Sequence, residues 1–101
     1  MTTTGNKTDI NRPKVSIVTV VFNAADSLEL TILSVINQSY PNTEFIIIDG
    51  GSTDGTVDLI KKYDKKINYW ISEKDSGIYD AMNKALDVVS GDWVYFLGAG
   101  D

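Results

Sequence analysis

The residues best placed to do chemistry are carboxylates set at the ends of apolar runs. Asp49 closes the run Glu44-Phe-Ile-Ile-Ile-Asp49 and opens the glycine-rich stretch Asp49-Gly-Gly-Ser-Thr-Asp-Gly55. Asp101 lies just past Trp93-Val-Tyr-Phe-Leu97, after Gly98-Ala-Gly100. A third apolar run ends in Phe22-Asn23. An ionised carboxylate only accepts hydrogen bonds, which suits Asp49 to the donors of a base or a ribose. A carboxylate on a glycine loop can hold Mg²⁺ or Mn²⁺ while a diphosphate supplies further oxygens, and the glycines let backbone approach the ligand. Asp and Asn are also ordinary turn residues, because they bond their own backbone. The weight therefore rests on three strand ends carrying polar groups together.

Several other chemistries are excluded. The chain of 101 residues has no cysteine and no histidine, so it offers no disulfide, no Cys/His zinc site and no Ser-His-Asp triad of its own. Residues 49–55 lack the Gly-Lys-Ser/Thr ending of a P-loop and the Gly-x-Gly-x-x-Gly of a dinucleotide fingerprint, and Ile60 stands where a calcium loop needs its bidentate Glu. A net charge of −5 argues against nucleic acid or an anionic membrane as partner, and a phosphate-bearing ligand would need a compensating cation. No apolar run approaches the ~18 residues of a membrane span, and residues 1–12 have no signal-peptide core. The lysines at 61, 62, 65 and 66 read as a solvated helix edge.

The elements that must position these groups follow from periodicity. With 43% hydrophobic residues the chain can bury a core. Residues 15–22 and 44–49 are β-branched runs of the kind buried on both faces in a parallel sheet. Residues 67–72 and 93–97 read as two further strands, with Tyr69, Trp70, Trp93 and Tyr95 as core and strand aromatics. Helical spacing joins Leu28, Ile32, Val35 and Ile36, with Asp26 and Glu29 in a capping-box pattern. A second helix presents Val57, Ile60 and Tyr63, with Thr53 or Asp54 as its cap. A third carries Ile78, Met82, Ala85, Leu86 and Val89 on its inner face, which sets Asp80, Asn83 and Lys84 on the opposite one. The order β-α-β-α-β-α-β implies a parallel α/β sheet with right-handed crossovers, ligands binding at the carboxyl ends of its strands. The expected layout is a flexible leader over residues 1–12 and one nucleotide-binding unit over 13–101. Ending right after a strand suggests a fragment of something longer.

Four segments carry a resemblance: residues 15–23, Asp49-Gly-Gly-Ser-Thr-Asp-Gly55, Asp75-Ser-Gly-Ile-Tyr-Asp-Ala-Met-Asn83, and Gly91-Asp-Trp-Val-Tyr-Phe-Leu-Gly-Ala-Gly-Asp101. In this order they resemble the N-terminal, donor-binding half of a family 2 glycosyltransferase with the Rossmann-like GT-A fold, over residues 13–101. The segment from Gly77 to Asn83 is most similar to enzymes of bacterial surface-polysaccharide and O-antigen assembly. The resemblance implies that Val21, Phe22 and Asn23 border the nucleotide base, that Asp49 bonds it, that Asp80 and Asn83 lie beside the sugar diphosphate, and that Asp101 binds the divalent cation. It departs from the family pattern at 98–100, where Gly, Ala and Gly leave a single carboxylate in the metal motif.

The implied reaction is inverting transfer of a sugar from a nucleotide diphospho-sugar, a UDP-sugar first, to a hydroxyl of a saccharide or lipid-linked saccharide. The catalytic base is expected beyond Asp101. A cytoplasmic location follows as the expectation, peripheral at the inner membrane for a longer protein. The competing reading is a nucleotide-binding module of a nucleotidyltransferase-like or catalytically inactive protein. Against it, residues 21–25 lack the Gly-rich, Arg/Lys-bearing loop that sugar-activating nucleotidyltransferases carry after their first strand.

Overall fold

The computed structural model describes residues 14–38, 42–74 and 77–98, the side chains of Ile78 and Tyr79 excepted. Strands and helices alternate as the patterning requires: β1 (Val15–Val21), α1 (Ala25–Ile36), β2 (Thr43–Asp49), α2 (Thr56–Lys62), a 3₁₀ turn (Asp64–Lys66), β3 (Tyr69–Ser72), α3 (Ile78–Val88) and β4 (Trp93–Phe96). All pairings are parallel, in the order β3-β2-β1-β4. The chain steps outward from β1 to β3, then returns past β1 to place β4 on its other side. Right-handed crossovers put α1 and α2 on one face and force α3 onto the other once the direction reverses.

The strand residues sort accordingly. Ile17, Val21, Phe45 and Ile47 pack with Leu28 and Ile32 of α1 and Ile60 of α2. Val18, Ile46 and Ile48 pack with Ala81 and Ala85 of α3. Ile46, Ile47 and Ile48 are fully buried, which is why β2 reads as an unbroken apolar run. Each such side chain contributes about 1.5–3 kcal/mol of burial.

Three expectations from the sequence change here. The inner face of α3 is Ala81 and Ala85, with Val88 and Val89 partly covered, whereas Leu86 is exposed and Met82 half-buried. The small alanines let the helix lie close on the sheet, and that proximity sets the rotation of the helix. The capping box does not form: α1 begins at Ala25, Leu28 N–H bonds the Ala24 carbonyl, and Glu29 instead accepts from the Tyr63 hydroxyl at 2.9 Å and pairs with Lys62 at 3.6 Å. Trp93 and Tyr95 are strand aromatics of β4, as read, but 65% and 59% exposed rather than core, β4 standing at the edge of the sheet that the described residues form. Of the four aromatics, Trp70 packs on the core, its indole N–H donating to Asp64 at 2.8 Å.

The amino edge of the sheet is fastened by a polar cluster. The Glu44 carboxylate accepts from the Ser16 hydroxyl at 2.5 Å, the Ser90 N–H at 2.7 Å and the Ser90 hydroxyl at 3.1 Å, with Lys14 3.6 Å away. Gly91 N–H donates to Ser16 Oγ at 2.9 Å, and a Cβ at Gly91 would stand 2.8 Å from the Ser16 nitrogen. The close approach of this loop to β1 therefore requires glycine, and the cluster holds β4 in register. Burial alone would raise the pKa of Glu44, but the Ser16 and Ser90 hydrogen bonds and the Lys14 charge outweigh it and hold it below its ordinary value.

A carboxylate with a depressed folded pKa stabilises fully above its unfolded value, about 4.3, and loses that contribution as pH falls through the folded value. Urea unfolding at neutral pH is expected to show Glu44→Gln less stable than the parent, with the gap closing in acid; a gap independent of pH would contradict this. Thr19 Oγ1 is the only buried side-chain oxygen or nitrogen without a partner among the described residues. Thr19→Val removes that orphan at nearly constant shape and should raise stability by about 1 kcal/mol in the same assay.

Candidate functional site

The carboxyl ends of β1, β2 and β3 lie level, with Val21 opposite Asp49 and Asp49 opposite Ser72. Asp49 is fully buried there. Its Oδ2 accepts from the Ser72 hydroxyl at 2.7 Å, Ser52 N–H at 2.9 Å and Gly51 N–H at 3.2 Å, and its Oδ1 from the Ser52 hydroxyl at 2.5 Å. Its backbone carbonyl accepts Glu73 N–H at 3.0 Å. One side chain thus ties the ends of β2 and β3 to the turn between them. Oδ2 carries three of these bonds and Oδ1 one, so the side chain braces the edge while Oδ1 keeps acceptor capacity for a further donor.

Ser52 passes the constraint on to the loop after β1. Its Oγ accepts Asn23 N–H at 2.7 Å, while Asn23 Oδ1 accepts Thr53 N–H at 2.8 Å and Asp54 N–H at 3.3 Å. Asn23 sits at φ +48°, a left-handed conformation that Asn tolerates better than most residues. This pins the loop so that Val21 stays buried and Phe22, 60% exposed, stands out from the sheet edge. Asp54 accepts Thr56 N–H at 2.9 Å and the Thr56 hydroxyl, so it covers the start of α2 although Gly55 occupies the cap position. The Thr56 hydroxyl and N–H bonds, outweighing a small burial effect, hold the Asp54 pKa below its ordinary value.

Between these loops and α3 lies a cleft of about 450 Å³, lined by Val20, Val21, Phe22, Gly50, Lys74, Gly77 and Ala81. Gly50 leaves its floor bare, and Gly77 (φ +122°) starts α3 at its wall. Gly51 (φ +90°) turns so tightly that a Cβ would lie 3.2 Å from the Lys74 nitrogen. Asp80, half-buried, lies in the first turn of α3 at this edge, 3.8 Å from Lys84, which also pairs with Glu73 at 3.1 Å. Asn83 is exposed. Neither is among the residues lining the cleft. Asp101 and Asp75 lie outside the described residues.

Beside the cleft, Leu97 N–H bonds the Val18 carbonyl at 2.8 Å, so β4 ends short of β1. A larger hollow of about 600 Å³ runs along β4 and α1. It is mainly apolar, bordered by Trp93, Tyr95 and Val35 among others, and does not reach the loops at the sheet's carboxyl edge.

The structure thus brings Val21, Phe22, Asn23 and Asp49 to one edge, and Asp80 to the same end of α3. The sequence reading missed Ser52 and Ser72, which complete the shell of Asp49, and Lys74, hidden within a charged loop. Ser52 carried a usable signal: a hydroxyl three residues after an Asp at a strand end is well placed to bond it.

A parallel α/β sheet with its cleft beyond the carboxyl ends of the strands, beside the point where strand order reverses, is a Rossmann-like nucleotide-binding architecture. Comparison with known proteins makes this specific. The sequence model described as "Glycosyl transferase family 2" matches residues 16–100, and the chain belongs to that family. It is 43% identical to the putative teichuronic acid biosynthesis glycosyltransferase TuaG of Bacillus subtilis, over 89% of this chain and 37% of TuaG. A PGL/p-HBAD biosynthesis glycosyltransferase of Mycobacterium bovis is 35% identical over 88% of this chain and 36% of its own. The chain therefore spans little more than a third of the length of these relatives.

Among solved structures, the mannosyltransferase PcManGT from Pyrobaculum calidifontis, in complex with GDP-Man and Mn²⁺, superposes with a TM-score of 0.80 at 26% identity, over 87% of this chain and 28% of that one. S. aureus TarS 1-349, in complex with UDP-GlcNAc, gives 0.76 at 25% identity, over 85% of this chain and 26% of that one. The fold is the GT-A fold of these glycosyltransferases.

Removing the Asp49 carboxylate strands buried donors on Ser52 and Ser72 and on two backbone amides. Asp49→Ala should cost about 3 kcal/mol in chemical denaturation, the scale of a lost charged hydrogen-bond acceptor in the interior. A loss below about 1 kcal/mol would remove Asp49 from the centre of this edge.

Proposed function

We propose that this chain is the donor-binding part, residues 13–101, of an inverting glycosyltransferase that uses a nucleotide diphospho-sugar, a UDP-sugar first. The observation that carries the reading is the cleft at the carboxyl edge of β1 and β2: one wall is the exposed ring of Phe22, the floor is the bare backbone of Gly50, and the sequence is that of family 2. An exposed aromatic beside a glycine suits the flat face of a nucleobase, worth about tenfold or more in affinity. The printed ligands of PcManGT and TarS, GDP-Man and UDP-GlcNAc, support a nucleotide-sugar donor.

In the proposed reaction an acceptor hydroxyl attacks the anomeric carbon as the bond to the diphosphate breaks, and a base outside residues 1–101 takes the acceptor proton. Asn23 and Asp49 shape the base-binding edge, Val21 and Phe22 form it, and Asp80 and Asn83 flank the diphosphate end along α3. Asp101 is the proposed ligand of a Mg²⁺ or Mn²⁺ ion, which would offset charge on the departing diphosphate. Among the described residues no group of three or more Asp, Glu, His or Cys could hold a metal. The acceptor is proposed to be a saccharide or lipid-linked saccharide of the bacterial cell surface, the O-antigen class included. The names of the TuaG and PGL/p-HBAD relatives support a biosynthetic role of this kind. With that role goes a proposed location in the cytoplasm, peripheral at the inner membrane. No helix among the described residues is long and apolar enough to cross a membrane.

Calorimetric titration with UDP and with GDP in the presence of Mn²⁺ tests the donor reading. Saturable binding of one of them is expected, weakened about tenfold in Phe22→Ala. Absence of binding by either nucleotide at millimolar concentration would sink it.

A further inference from the structure

The proposed donor poses an electrostatic problem. The chain carries a net charge of −5, and a nucleoside diphosphate brings further negative charge into the cleft. A cation built into the cleft would relieve this whether or not a metal is bound.

Two lysines stand near the cleft, and the structure separates them. Lys84 is committed: its ammonium pairs with Glu73 at 3.1 Å and Asp80 at 3.8 Å, and it reaches the Lys74 carbonyl at 3.4 Å. Among the described residues that line the cleft, Lys74 is the charged one. Its ammonium has no hydrogen-bond or ion-pair partner among the described residues, although Glu73 is its chain neighbour.

The backbone that carries Lys74 is fixed from three sides. Gly51 packs against its nitrogen and Cα so closely that no Cβ fits comfortably between them. Glu73 N–H bonds the Asp49 carbonyl at 3.0 Å, and Lys84 holds the carbonyl of residue 74. The Asp49-Gly-Gly-Ser turn therefore does more than close β2: it seats the main chain of residue 74 beside the cleft. Among the described residues, a lysine without an ion-pair partner, on an anchored backbone, borders a cleft whose other lining residues are uncharged.

We propose that Lys74 binds the diphosphate of the nucleotide, a phosphate contact of this chain's own in the cleft that Phe22 also lines. The assignment rests on the donor reading above. It makes Lys74 a binding residue that recognises the charged end of the ligand and is indifferent to the base. An ammonium serves phosphate as a point charge, so an arginine can replace it in charge if not in geometry.

The test compares the 101-residue chain with Lys74→Gln and Lys74→Arg, using UDP and uridine as probes at constant metal concentration. Ligand-observed NMR reads affinities into the millimolar range. UDP binding is expected to weaken about tenfold in Lys74→Gln, as for a lost charged hydrogen bond, while uridine binding stays as in the parent and Lys74→Arg keeps most of the UDP affinity. The salt dependence of UDP binding should flatten in Lys74→Gln. Thermal midpoints should match, because the side chain is exposed. Equal UDP affinity in parent and Lys74→Gln overturns the assignment, as does an equal loss of UDP and uridine, which would mark general damage to the cleft. A parent chain that binds neither UDP nor GDP fails at the earlier step and removes the donor reading itself.

Discussion

The carboxylate of Asp49 is the constraint on which the rest of the ligand edge depends. A buried charge is tolerated only where donors replace the water it has lost. Here the replacement is complete: two amides and two hydroxyls converge on it, from the turn after β2 and from the end of β3. The arrangement is directional as well as stabilising. Because Ser52 donates to Asp49 and accepts from Asn23, the loop after β1 takes its position from a fully buried carboxylate at the end of the neighbouring strand. Phe22 and Gly50 then face the cleft as a by-product of satisfying Asp49. Recognition surfaces on open parallel sheets are often described loop by loop; here the loops are one hydrogen-bonded unit.

Much of this was legible in the sequence because it follows from simple rules. The β-branched runs at 15–22 and 44–49 could only be strands covered on both faces, and regular alternation with amphipathic segments fixed a parallel sheet. The four motif segments pointed to family 2 before any geometry was available. What escaped was tertiary in origin. The rotation of α3 is set by how closely Ala81 and Ala85 let it approach β2, and periodicity alone weighs Leu86 more heavily than a small alanine. Trp93 and Tyr95 look like core residues in any one-dimensional reading, yet nothing among the described residues covers β4 on its outer side and both stay exposed. Glu29 fits a cap by spacing, but a helix beginning at Ala25 leaves it free to meet Tyr63.

The candidate site divides along the same line. Residue types at strand ends announced Val21, Phe22, Asn23 and Asp49 as a group, but not which would face a ligand and which would hold the others. Packing shows that Asp49 braces the edge and that Phe22 stands exposed beside it. Lys74 had no signal, because a lysine between Glu73 and Asp75 resembles any solvated loop until the Gly51 turn is seen pressing against its backbone. The two ends of the sheet are also chemically distinct. The amino edge is closed by a self-satisfied cluster around Glu44, while at the carboxyl edge Lys74 has no partner among the described residues.

The placement of β4 beside β1 has a temporal side. Lys14 and Asp92, 78 residues apart in sequence, are joined by a hydrogen bond where these two strands start. β1, β2 and β3 can pair in the order in which they leave the ribosome, each a short crossover from the last. The α3 wall arrives later, and β4 later still, so the first strand must wait with one edge unpaired until nearly all of residues 14–98 have been made. Closing so long a loop slows folding even when the final pairing is favourable. During synthesis, the β-branched flank of β1 then stays open until β4, the latest of the four described strands, has been made.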